Sequence, residues 1–581
     1  MKLLLRLFLL LCLISCETKK ERKIENIKTV FERSNGEETA TYLQIIDFYI
    51  QLAKEFPEIN IQIIGNTDSG NPLHVVTYNP DADFNFQKIG RDKSILFINN
   101  GIHPGESDGI DATMLLFRDL ALNKMDVPKN TVVVTIPVYN VGGALNRNST
   151  SRVNQNGPKS YGFRGNAKNY DLNRDFIKGD TKNAHTFAKI FHLVKPDIFI
   201  DNHVSNGADY QYTLTHLFTQ HNKLGGELGN YLHKEMVPTL ENMLRETAWD
   251  ITPYVNVFNQ VPEKGFSQFM DYPRYSTGYT TLWNTLGLMV ETHMLKPYKQ
   301  RVDGVYTLMT KILEISEKDY KKIKELRENA FEVYLEKQNY PVQWAIDTTQ
   351  STILDFKGYE ADESNSEVTG FPRLKYDRNR PFIKEVVYQN FYSATHEVEI
   401  PKAYVIKKGW DKVMDLLTVN QISFKTLKQD TSIVVESYKI DSYNTVAHSY
   451  EGHYPHYDTK VLRSEQKVTF TAGDILVPTN QKGLRYLLET LEPEATDSFF
   501  NWNFFDAILQ QKEGFSPYVF EDIALEILQG NPEMETQFLL KKELDSIFAS
   551  DWYAQLDWIY KRSKYHEPEH MQYPIYRILK E

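Results

Sequence analysis

The strongest constraint on this chain is a strand–helix–strand unit in its first quarter. SILFIN (94–99) is an unbroken apolar run, TVVVTIPVY (131–139) is another, and DGIDATMLLFRDLAL between them carries apolar residues at helical spacing. Strands without polar alternation are buried on both faces, and two of them bridged by a helix lie parallel, since tight turns join only antiparallel neighbours. Ser107 or Asp108 is placed to cap the bridging helix. INIQIIG and LHVVTYN, joined by the turn-rich NTDSGNP, read as a strand pair, and DIFIDNHV (197–204) and LGLMVETHM (286–294) read as two further strands. With the amphipathic helix of TYLQIIDFYIQLAKEF (41–56), residues 41–330 form one α/β domain with a largely parallel sheet.

At 581 residues the chain exceeds one ordinary core. From about residue 340 short strand-like runs take over (KEVVYQNFY, PKAYVIKKG, DTSIVVESYKI, EQKVTFTAGDILVP) up to about 480, followed by helical patterns such as GLRYLLETL and DIALEILQ. Residues 331–581 are therefore a second, β-rich region with a helical tail. With 66 basic against 77 acidic residues the formal charge is −11, which argues against nucleic acid as a partner.

The first sixteen residues, MKLLLRLFLLLCLISC, pair two basic residues with an apolar run too short to span a bilayer, the pattern of a signal peptide. The ending Leu-Ile-Ser-Cys resembles the lipobox of bacterial lipoproteins, which implies cleavage before Cys16, lipidation of that residue and a lipid-anchored place in the bacterial cell envelope, membrane-bound through Cys16. The competing reading is a cleaved signal with an incidental Cys. The other cysteine, Cys12, lies in the removed segment, so the mature chain has no intramolecular disulfide. Residues 17–40 are charged, poor in large apolar side chains at the start, and read as a linker.

Chemistry-bearing residues sit where the strands end. INNGIHPGE places His103 and Glu106 just past SILFIN; His203 closes DIFIDNHV and Glu291 lies near the end of LGLMVETHM. In an open α/β sheet ligands gather outside the carboxyl ends of the strands, so these four residues converge despite their separation in sequence. Two His and one Glu are a catalytic zinc set that leaves a fourth position for water. His103, Glu106 and His203 are thus the candidate ligands of one Zn²⁺, and Glu291 is the remaining carboxylate, a general base.

The order H-x-x-E, then NYDLNRDF (169–176), a strand-end His and a strand-end Glu resembles the zinc carboxypeptidases, peptidase family M14. That resemblance covers about 41–330 and implies a carboxypeptidase-like mixed, largely parallel sheet with helices on both faces. It puts His103, Glu106 and His203 on the metal, Glu291 as base, and Asn173 with Arg174 on the terminal carboxylate of a peptide substrate. It also implies an Arg that polarises the scissile carbonyl, matched to Arg152 with Arg147 and Arg164 as rivals. A substrate-contacting Tyr is matched to Tyr275, with Tyr272 and Tyr279 nearby. The second half, including WNFFD (502–506), looks like the extra region of certain large bacterial members.

The expected function is hydrolysis of C-terminal peptide bonds by a metal-activated water. Two alternatives remain at this level: a zinc amidase or deacylase acting on acyl-amino acids or cell-wall peptides, and a non-catalytic surface lipoprotein that binds glycan or peptide. His448, His453 and His456 in HSYEGHYPHYD invite a second metal site, against which stands a plain Tyr- and His-rich loop.

Overall fold

The computed structural model describes residues 27–247 and 249–580. The expected signal peptide, Cys16 and the linker up to residue 26 lie outside the described residues.

Eight strands form the central sheet: β1 (Ile59–Asn66), β2 (Pro72–Tyr78), β3 (Ser94–Asn99), β4 (Thr131–Ile136), β5 (Ile198–Ser205), β6 (Leu214–Phe218), β7 (Ile251–Pro253) and β8 (Leu286–His293). Their spatial order is β1-β2-β4-β3-β5-β8-β6-β7. The central strands β4, β3, β5 and β8 run parallel, while β1–β2, β2–β4 and β6–β8 pair antiparallel. The sheet is mixed, as expected. Every residue of β3, β4 and β5 is buried, which requires cover on both faces.

That cover comes chiefly from four helices: α1 (Tyr42–Glu55), α2 (Asp108–Ala121), α3 (Lys182–Val194) and the long α4 (Tyr298–Glu336). A capping box between Thr41 and Gln44 starts α1. The start of α2 differs from expectation. Ser107 occupies the cap position without a side-chain cap bond, because its hydroxyl donates instead to the Tyr298 phenol at 3.2 Å.

The second region is β-rich as expected, beginning with the strand Asn339–Ile346 and a long hairpin of Thr352–Asn365 and Pro372–Gln389. Five α-helices follow from Leu484: Leu484–Leu491, Pro517–Gly530, Pro532–Leu544, Ser546–Ser550 and Trp552–Tyr560. The strand Ile575–Ile578 was not predicted. Four residues are too few for a period to show, and its place beside Ala403–Ile406 is a long-range pairing. One apolar core runs through both regions, joining Leu96, Val134 and Leu288 to Tyr404, Leu488 and Phe499. Residues 27–40 also pack: Ile27 and Phe31 are buried, and Glu32 pairs with Arg118. Among the described residues no helix is long and apolar enough to cross a membrane.

The loop that leads from β3 into α2 is held by one buried ion pair. Arg301 of α4 is wholly buried and forks onto Asp108, with Nε 2.8 Å from Oδ2 and Nη2 3.2 Å from Oδ1. Its remaining donors bind the carbonyls of Asn156, Lys296 and Gly157. Removing one partner leaves a buried charge unpaired, so Arg301→Met is expected to lower the unfolding free energy by about 3–5 kcal/mol. Urea unfolding of the two proteins checks this; a loss under about 1 kcal/mol, the range of surface pairs, means the pair is not a buried anchor.

Candidate metal centre and active site

His103 and Glu106 lie on the loop between β3 and α2, and the three-residue spacing has a direct cause. The N–H of Glu106 donates to the carbonyl of His103 at 2.8 Å, closing a turn that folds the two side chains toward each other. Gly105 is required inside it, because a Cβ there would lie 2.7 Å from Cδ of Arg152 and 3.0 Å from the carbonyl oxygen of Gly162. His203 comes from β5. The parallel register sets it directly beside Glu291 on β8.

The three expected ligands converge. One donor atom from each of His103, Glu106 and His203 lies within 4.8 Å of the others, and among the described residues this is the one such group of His, Cys, Asp or Glu. Nδ1 of His103 stands 3.2 Å, and Nδ1 of His203 3.1 Å, from Oε2 of Glu106. All three residues are buried. Each is gripped from behind: Nε2 of His103 lies 2.9 Å from Oδ1 of Asp171, Nε2 of His203 lies 3.0 Å from Oδ2 of Asp201, and Oε1 of Glu106 accepts from Nη1 of Arg152 at 2.7 Å. A carboxylate behind a ligating imidazole fixes its tautomer and raises its basicity.

These residues fit a metal ion. Nδ1 of His103 is buried and makes no hydrogen bond, although its ring is held firmly on the other side. The field points the same way. Burial opposes charge on Glu106, yet His103 and Arg152 hold its carboxyl well below the ordinary range. At His203 burial is likewise outweighed, by Asp201 and Glu106, in favour of the cationic ring. His103, Glu106 and His203 would hold a cation, whose charge would answer that demand with neutral imidazoles.

Glu291 is half-buried beside this group, with its Oε2 buried and free of any hydrogen bond. Burial pushes its carboxyl up to about 7; His203 opposes the rise and the charge of Glu106 adds to it. A carboxyl poised there can both take and return a proton near neutrality.

Arginines line the mouth. Arg152 reaches Glu106, and Arg164 stands 3.5 Å from the same Oε1 while donating from Nε to Asp171 at 3.0 Å. Both border an open cavity of about 210 Å³ with Glu106, Val204, Asn206 and Met294. Arg147, the other rival, turns away: its guanidinium donates to the backbone carbonyls of Ala40, Thr39 and Ser160. Asn173 and Arg174 lie on a 3-10 turn, Leu172–Arg174, that starts from Asp171. The Arg174 guanidinium stacks on the Tyr275 ring, 4.6 Å from its centroid, and the amide oxygen of Asn173 accepts from the N–H of Ser276 at 3.2 Å. Tyr279 is buried with its hydroxyl on Asn420, and Tyr272 packs near Lys223. Of the three tyrosines, Tyr275 is the one in contact with Arg174.

His448, His453 and His456 do not gather. His453 lies 2.7 Å from Asp180 and His456 3.1 Å from Asp506, on separate partners.

Three residues near the centre were not singled out from sequence. Asp201 had a signal, since residues two apart on a strand share a face and it precedes His203 by two. Asp171 lies within NYDLNRDF, although its hydrogen bond to His103 spans 68 positions. Tyr254 had none: burial, then the charge of Glu291, raises its phenol, and that proximity is purely tertiary.

The fold and site define a mixed-sheet α/β protein with a buried His–Glu–His centre. The chain is similar to Carboxypeptidase 2 of Trichophyton tonsurans, 22% identical over 438 residues that cover 71% of this chain and 74% of the relative. Carboxypeptidase 2 of Trichophyton equinum aligns at the same identity and coverage. Among solved structures, a metallo-carboxypeptidase from Burkholderia cenocepacia aligns at TM-score 0.36 and 15% identity, covering 47% of this chain and 68% of its own. Carboxypeptidase A from Helicoverpa armigera aligns at TM-score 0.35 and 13% identity, covering 50% and 73%. No protein-family model matches the chain. The two Trichophyton relatives are carboxypeptidases by name, the class that the sequence resemblance points to.

Because Asp171 orients His103 from behind, Asp171→Ala is expected to weaken divalent-metal affinity roughly 10- to 100-fold. His203→Ala, which deletes a ligand, is expected to abolish stoichiometric binding. Competition against a chromophoric chelator measures both; unchanged affinity in both variants removes the site from these residues.

Proposed function

We propose that the chain is a zinc-dependent metallocarboxypeptidase. The observation that carries this is the convergence of two imidazole Nδ1 atoms and one carboxylate oxygen in a buried spot, with Glu291 beside them in register. His103, Glu106 and His203 would hold the ion, which when bound supplies Lewis-acid activation of water and carbonyl.

The remaining work falls to the chain. Glu291, with its unpartnered Oε2, accepts a proton from the attacking water and passes it to the leaving amine. Arg152, at the edge of the cavity, stabilises negative charge growing on the scissile carbonyl oxygen, with Arg164 as its neighbour. Arg174 and Asn173 bind the substrate's free carboxylate; a guanidinium grips both oxygens, which a Lys does not copy. Tyr275 holds the Arg174 plane by stacking.

Glu291→Gln is expected to keep one zinc per chain and lose several orders of magnitude in kcat, read by peptide hydrolysis and metal analysis side by side. Turnover near wild type would show that another group is the base. For the carboxylate end, amidating a peptide's C-terminus is expected to remove most cleavage. Arg174→Lys should weaken free-acid substrates by about 2–5 kcal/mol and leave amidated ones unaffected. Cleavage positions in a mixed peptide library, read by mass spectrometry, decide the class: loss of single C-terminal residues supports this reading, whereas equal cleavage of acid and amide forms, or acyl release, moves it to an endopeptidase or amidase.

Lipidation of Cys16 is part of the same proposal, supported by the lipobox-like LISC ending. Cys16→Ser should shift the protein from the membrane to the soluble fraction; an unchanged membrane fraction refutes the anchor.

A further inference from the structure

The C-terminal region approaches the metal centre through the hairpin turn Tyr450–His453. The N–H of Tyr450 donates to the carbonyl of His453 at 2.7 Å, and the reverse bond measures 3.1 Å. Between them Glu451 and Gly452 both take left-handed conformations, with φ of 48° and 81°. A two-residue hairpin turn of this hand needs positive φ at both positions, which Gly adopts freely and a Glu adopts at a cost. The turn is pinned in place. A Cβ on Gly452 would stand 2.7 Å from the Tyr170 hydroxyl, His453 lies 2.7 Å from Asp180, and Tyr450 stacks on Trp502 with ring centroids 6.2 Å apart.

This strained, pinned turn delivers a single carboxylate. Oε2 of Glu451 accepts the N–H of Asp171 at 2.8 Å. Asp171 is the residue through which the metal centre and the substrate end meet: Oδ1 faces Nε2 of His103 and also accepts the N–H of Asn173 at 2.9 Å, while Oδ2 accepts Nε of Arg164. A bond on the backbone of Asp171 therefore sets where His103 points and how the turn bearing Asn173 and Arg174 starts. Burial pushes the Glu451 carboxyl up and the Asp171 charge adds to this, while the hydrogen bond from the Asp171 N–H and the charges of Lys178 and Arg174 oppose the rise.

We propose that Glu451 is a positioning residue, through which the C-terminal region aligns the Asp171–Arg174 segment for both metal binding and substrate-carboxylate recognition. The metal half rests on the His–Glu–His centre and the substrate half on the carboxypeptidase reading. Glu451 touches neither metal nor substrate.

The test uses the full chain with four variants: Glu451→Ala, Glu451→Gln, Glu451→Asp and Gly452→Ala. Zinc affinity by chelator competition is expected to fall roughly three- to tenfold in Glu451→Ala, less than for a direct partner of a ligand. Glu451→Gln keeps an acceptor oxygen at the same reach and should stay within about twofold of wild type. At saturating zinc, Glu451→Ala should raise KM for free-acid peptides several-fold with kcat little changed. Glu451→Asp, one methylene short, and Gly452→Ala, which lifts the turn off Tyr170, should each reproduce the loss, so the outcome does not hang on the folding of one variant. Zinc affinity and KM that stay at wild-type values in the Ala and Asp variants, whatever their melting temperatures, reduce Glu451 to an adhesive contact and overturn the proposal. Should wild type cleave no peptide, the carboxypeptidase reading falls separately, and the zinc titrations still decide whether Glu451 positions the centre.

Discussion

The parallel pairing of β3, β5 and β8 is the constraint on which the rest depends. Parallel neighbours end at the same edge, so the loop after β3 and the last residues of β5 and β8 meet at one rim. The register Asn99↔Asp201 and His203↔Glu291 makes that meeting specific. A slip of one residue on β5 would turn His203 and Asp201 to the opposite face and leave Glu106 and Glu291 without the His203 imidazole.

Concentrating Glu106, Asp171, Asp201 and Glu291 in a buried space is costly unless positive charge accompanies them. The chain supplies Arg152 and Arg164 at the mouth and Arg174 on the adjoining turn, while two imidazoles point inward. Behind His103, His203 and Glu106 stand Asp171, Asp201 and Arg152 in turn, each an opposite charge within about 3 Å.

The C-terminal region is part of this frame. Its long hairpin leans on the opposite flank, where Arg378 pairs with Asp209, which in turn faces His293 two residues past Glu291. Gln211 donates to the carbonyls of Gly358 and Phe382 on the same hairpin. With the Tyr450–His453 turn on the other side, elements from the second half brace both approaches to the centre. A shared apolar core makes the two regions a single packed body.

Much of the N-terminal half was legible in the residues alone. Unbroken apolar runs marked β3 and β4, helical spacing marked α1 and α2, and strand-end His and Glu marked the centre, because periodicity and local turn chemistry are written in neighbouring residues. The same locality explains the three-residue gap between His103 and Glu106, whereas Gly105 answers to the tertiary approach of Arg152 and Gly162. Tertiary structure alone decided which Arg reaches Glu106, which Tyr stacks on Arg174, that Tyr254 stands near Glu291, and that Glu451 holds Asp171 across 280 positions. Contacts of that span are selected by how two folded surfaces fit, and no short-range pattern in the chain encodes the fit. The strand Ile575–Ile578 follows the same rule: four residues after a run of helices carry no period, and only the gap between Ala403–Ile406 and Thr431–Thr445 gives them strands to join.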